Sequence, residues 1–134
     1  MDSKIAPEVA EAEFARFAAA MDLDVDVERM DGDDKENFTK QKRRVTRAIE
    51  HGHLVVDDKG QPIFTPQLGD TSPITFFEPT GSALMSMDKR KEGENVAKTY
   101  ATMGEMTKTS AARFSAMNGR DLKVCQALYL LFLS

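Results

Sequence analysis

Asp22-Leu-Asp24-Val-Asp26 places three carboxylates at alternate positions, as at the start of a calcium-binding loop. Such a loop needs glycine at its sixth position for the sharp turn and glutamate at its twelfth for bidentate ligation. This chain has Val27 and Asp33 there, so the acidic stretch reads as a solvated loop. His51-Gly52-His53 puts two imidazoles side by side, but zinc needs three or four ligands and the chain has only two histidines. His51 is better read as favouring a helix C-terminal dipole. Cys125 is the sole cysteine and has no histidine close in sequence to activate it, so it reads as a small buried residue. Lys40, Lys42, Arg43, Arg44 and Arg47 form a basic stretch of the type that contacts phosphates, or a dock for an acidic segment. No nucleophile–base pair or glycine-rich phosphate loop appears. The expectation is therefore a protein that is not an enzyme and uses no cofactor or metal.

The elements around these residues can be read from periodicity. Pro7 suits a first helical turn. Ala10, Phe14, Phe17, Ala18 and Met21 then recur on one helical face. Residues 22–34 are acidic and poor in large side chains, which predicts a loosely attached linker. A second helix is expected from about Asp34 to His51, with Phe38, Val45, Ala48 and Ile49 as its stripe and Gly52 as terminator. His53 to Asp57 and Ile63 to Thr65 read as a hairpin around Asp58-Lys59-Gly60. Pro62 confines the second strand to an edge or to its first position. Ile74 to Phe77 reads as a third strand, stopped by Pro79. Helices are expected over about 81–90, 94–106, 110–117 and 120–133. Asn118 and Asp121 approximate a capping box for the last of them. The pattern predicts an α+β domain, mainly helical, with a small antiparallel sheet. Its expected organisation is an acidic N-terminal helix and linker over 1–33, then a single domain over 34–134.

Charge follows that division. Residues 1–34 carry 11 acids against 3 bases, and residues 35–134 carry 11 acids against 15 bases. The acidic segment could fold back on the basic body. No apolar run approaches the roughly 20 residues of a membrane span. Met1-Asp2-Ser3-Lys4 lacks the basic flank and apolar core of a signal peptide. With a free thiol, this gives an expected cytoplasmic location and no membrane partner.

The terminal segment Leu128-Tyr-Leu-Leu-Phe-Leu-Ser134 is apolar to its end. Either this helix docks into its own core or it is held for a partner. Leu128, Leu131 and Phe132 are the candidate partner-binding residues. Eight methionines, five of them at Met85, Met87, Met103, Met106 and Met117, suit core filling or an adaptable binding surface.

Two segments carry a resemblance. They are Thr75-Phe-Phe-Glu-Pro-Thr-Gly-Ser-Ala-Leu84 and Phe114-Ser-Ala-Met-Asn-Gly-Arg-Asp-Leu-Lys123 with the apolar helix behind it. Together they resemble the tail assembly chaperones of long-tailed phages and prophages, over roughly Ile74 to Ser134. The matching positions are Glu78, Pro79, Leu84, Met117, Asp121 and Phe132-Leu133. The resemblance implies a non-catalytic protein in the cytoplasm of a bacterial host. Such a protein binds the helical tape-measure protein, prevents its aggregation and recruits tail-tube protein; self-association is compatible with this role. The alternatives are a structural component of the tail or head–tail junction, and a small regulatory or nucleic-acid-binding protein using the basic helix.

Overall fold

A computed structural model describes residues 5–23, 25–81 and 96–132. Its described part is mainly helical, with five α-helices and a three-stranded antiparallel sheet, the α+β class expected. Helix α1 spans Pro7–Ala20 and α2 spans Gly32–Glu50. The strands are β1, Leu54–Val56, β2, Pro62–Phe64, and β3, Ile74–Thr75. They are followed by α3, Val96–Thr107, α4, Ala111–Ser115, and α5, Gly119–Phe132. The helix expected over 81–90 lies, apart from Gly81, outside the described residues.

The chain starts and stops these helices with local chemistry. Pro7 occupies the first turn of α1. The Asp31 side chain caps α2 by accepting from Asp34 N at 2.8 Å. Three helices end on a residue of positive φ: Asp22 at 54° after α1, Gly52 at 79° after α2 and Lys108 at 58° after α3. Behind each, an amide closes the ring to a carbonyl five residues back. These bonds are Leu23 N to Ala18 O, His53 N to Ala48 O and Thr109 N to Gly104 O, at 2.9–3.1 Å. That is the Schellman pattern. Asp22, first of the tempting carboxylate triplet, is thus a helix terminator, while Asp24 lies outside the described residues.

The sheet order is β1-β2-β3, with Leu54 opposite Phe64 and Phe64 opposite Ile74. β2 is therefore central. Pro62 is tolerated because it stands at the strand's first position, where its missing N–H removes no interior ladder bond. Asp57 organises the hairpin tip, its Oδ1 accepting from Lys59 N at 2.9 Å and Gln61 N at 2.8 Å. β1 and β3 run shorter than the alternation predicts: Phe77 N leaves the sheet to donate to Met106 O at 3.1 Å, while Thr65 N donates to His53 O at 2.8 Å just beyond the β1–β2 ladder.

One core unites these elements. Phe14 and Phe17 of α1 are buried, and Phe17 meets Phe132 of α5 edge-on at 5.5 Å between centroids. Phe14 meets Phe38 of α2 at 6.3 Å. Arg16 ties α1 to the hairpin, its guanidinium donating to Val56 O at 2.8 Å and Asp57 O at 3.1 Å. The segment behind α1 is also more attached than its composition suggests. It forms a 3-10 turn at Val27–Arg29, and Leu23, Val27 and Met30 lie partly buried against the core.

Candidate functional site

α5 packs against α2, and the α5 surface is set by that packing. Leu128, Leu131 and Phe132 are 0%, 1% and 7% exposed. This corrects the expectation of a client surface there: the three side chains belong to the core. The physical reason is that α5 is apolar around most of its circumference, so its faces are covered by α1, α2 and their neighbours. Leu130, at 36% exposure, is the outward-facing apolar residue of that turn.

Asp121 has a role that its capping-box position does not suggest. Asn118 does cap α5, accepting from Arg120 N at 2.9 Å. Asp121 does not complete the box. Its carboxylate is buried and accepts backbone N–H bonds from Gln67 at 3.0 and 3.1 Å and from Leu68 at 3.2 Å. These are charge-assisted bonds to donors on the loop after β2. Arg113 of α4 grips the other end of the same loop. Its Nη2 donates to Asp70 O at 3.3 Å and to Ser72 O, and lies 3.5 Å from the Asp70 carboxylate. The Ser72 N–H that donates to Asp70 holds that carboxyl below its ordinary range. The loop from Pro66 to Pro73 is thereby fastened at both ends to the C-terminal helices.

Fastening the loop shapes an open groove of about 680 Å³ between α2, α5 and Leu68. Arg44, Arg47, Ala48 and His51 form its α2 wall, and Arg120, Lys123 and Val124 form its α5 wall. The two walls repeat one pattern at helical spacing, a base, then three residues on a second base with an apolar neighbour. Each wall is therefore a ridge of one helix. His51 and His53 stand together at one end with ring centroids 5.7 Å apart. Phe64 closes the floor and is 1% exposed, whereas Leu68 is 59% exposed. Asp121 also lines the groove, but its oxygens are engaged with the loop amides.

The basic stretch on α2 is therefore divided among different neighbours. Arg44 and Arg47 face the groove. Lys42 instead meets Glu11 of α1 at 3.2 Å, a contact between the acidic and basic parts of the chain. Lys40 and Arg43 line a separate shallow hollow with Lys35 and Glu36. Of the positions carrying the resemblance, Glu78 is exposed and Pro79 half-buried where the chain leaves β3; Leu84 and Leu133 lie outside the described residues. Sequence reasoning missed the groove, although the shared spacing of Arg44/Arg47-Ala48 and Arg120/Lys123-Val124 is visible in the sequence. What it lacked was the packing of α2 on α5.

Cys125 lies behind the α5 wall, fully buried, with its Sγ 3.7 Å from Met117 Sδ. Burial, reinforced by the charge of Asp121, pushes its thiol up to about 12, which suits packing and not nucleophilic attack. Among the described residues, no three His, Cys, Asp or Glu side chains gather as a metal site, and no helix is long and apolar enough to cross a membrane. No family model, curated protein or solved structure matches the chain.

Proposed function

We propose that this protein is a phage tail assembly chaperone that binds the tape-measure protein and assists tail-tube assembly without catalysing a reaction. The observation that carries a binding role is the groove walled by two helical ridges, open to solvent and lined by bases and small apolar residues. Ridges set side by side in this way accept a third helix between them, and a tape-measure protein offers long helices. The specific assignment draws on the resemblance of residues 74–134, of which Asp121 and the closing helix build or brace that groove.

The test is co-expression with a tape-measure fragment that aggregates alone. The expected result is a soluble fragment that co-purifies with this chain. Failure of the wild-type protein to bind or solubilise the fragment at any salt concentration would sink the reading. Assay of purified particles separates it from the structural alternative, which requires the chain to be present there in stoichiometric amount.

A further inference from the structure

We infer that the groove between α2 and α5 is a receptor for an acidic amphipathic helix, carrying an apolar stripe flanked on both sides by glutamate or aspartate. The inference rests on the partner-binding reading above and adds the chemistry of the partner. Three observations carry it. The walls present Arg44 and Arg47 on one side and Arg120 and Lys123 on the other, so both flanks of an inserted helix meet positive charge. The lining carboxylate, Asp121, is already saturated by the Gln67 and Leu68 amides and does not answer those cations as a free acceptor. Between the basic rims lie Ala48, Val124 and the exposed Leu68, a floor that gains nothing from a phosphate chain but covers small apolar side chains.

The same lining offers nucleic acid little. Stacking platforms for bases need exposed ring faces; Phe64 is sealed beneath the floor, and His51 and His53 are half-buried at one end with their rings 5.7 Å apart. An acidic helix uses every part of the groove. Carboxylates spaced three and four residues apart pair with the two basic ridges, while the stripe between them desolvates the floor. Charge steers the encounter and selects the partner, and the apolar stripe supplies most of the hold.

The probe is a fluorescent synthetic helix of alternating leucine and alanine stripe with glutamate on both flanks. Its control has lysine at the flanking positions. Both are titrated by anisotropy against the full chain. The expected result is saturable binding of the glutamate peptide only, weakened as sodium chloride rises from about 0.05 to about 0.5 M. Arg47→Glu with Lys123→Glu, both at exposed positions, should weaken binding roughly tenfold or more while leaving the thermal melt in place. If that pair does not fold, Arg47→Gln with Lys123→Gln serves, with a smaller loss. Equal binding of the two peptides, or an unchanged affinity in the folded variants, overturns the proposal. So does displacement of the glutamate peptide by a single-stranded oligonucleotide, or a groove occupied by a second copy, seen as dimers that the double variant dissolves. Because the probe is synthetic, its outcome is separate from the tape-measure test. A solubilised fragment without peptide binding refutes the groove chemistry alone, and peptide binding without solubilisation refutes the chaperone assignment alone.

Discussion

Asp121 is the buried charged side chain among the described residues, and it answers backbone donors on a distant loop. Removing Asp121 loses charge-assisted, part-buried hydrogen bonds to the Gln67 and Leu68 amides, and bonds to a charged group are worth about 1.5–3 kcal/mol. Asp121→Ala is therefore expected to destabilise by about 1.5–3 kcal/mol. Asp121→Asn keeps one acceptor oxygen and should cost less, about 1–2 kcal/mol. Urea denaturation of the two variants checks the order, and equal, negligible losses would remove Asp121 as a latch. Its neighbour Cys125 makes a pH-dependent contribution. Burial first, and the charge of Asp121 second, raise the thiol from an ordinary 9.0 to about 12. The unfolded chain then releases this proton at lower pH than the folded one. The contribution is fully present below about pH 9 and is lost as pH climbs toward 12. Stability of the wild type should fall more steeply over that window than stability of Cys125→Ala, measured by urea midpoints at each pH. Parallel curves would show that the thiol titrates normally.

At the scale of elements, helix ends explain much of what the sequence revealed and what it hid. Gly52 announces the end of α2 because glycine adopts positive φ without steric cost. Asp22 performs the same task after α1 with a side chain that announces nothing, so the residues behind it read as linker. There Leu23 is instead the residue that closes the turn and packs on the core. Asp22→Gly should stabilise the protein by about 0.5–1 kcal/mol, since it relieves a left-handed non-glycine residue and removes an anion from a helix C-terminus. A rise in Tm of about 2–4 °C is the corresponding signal, and a fall would refute the account. The hairpin was legible from Asp58-Lys59-Gly60, but not what its tip rests on. A Cβ on Gly60 would lie 2.2 Å from Ala20 Cβ, and φ there is +80°. Gly60→Ala must therefore both strain the turn and push the hairpin off α1. A loss of about 2–4 kcal/mol is expected, and a neutral result by thermal melt would show that the tip is not seated. The periodicity of α2 and α5 made both helices visible in the sequence. Their packing against each other, which creates the groove, joins residues far apart in the chain and no local pattern encodes it; the same holds for the α1–α5 contact of Phe17 with Phe132.

Taken whole, the molecule does not divide where its charge divides. The acidic first quarter and the basic remainder suggest an arm on a body, yet one hydrophobic cluster runs from Ala10 through Phe132. Electrostatics contributes little to that union, because the Lys42–Glu11 pair is partly exposed and such pairs are worth about 0–1 kcal/mol. Apolar burial decides it. Phe14 and Phe17 are 3% and 0% exposed, and fully burying each contributes roughly 1.5–3 kcal/mol. Ala10, Ala18 and the faces of Phe38, Val56 and Phe132 that α1 helps to cover add to this. The sum rivals the entire stability of a domain, about 5–15 kcal/mol. A chain lacking residues 1–30 is thus expected to lose its cooperative thermal transition, to bind a hydrophobic dye and to retain helical circular dichroism only in part. Adding high salt to the intact protein should change its melting temperature far less than this truncation does. A truncated chain that melted sharply, near the temperature of the full protein, would restore the arm-and-body organisation. The acidic helix would then be free to serve a partner instead of the core.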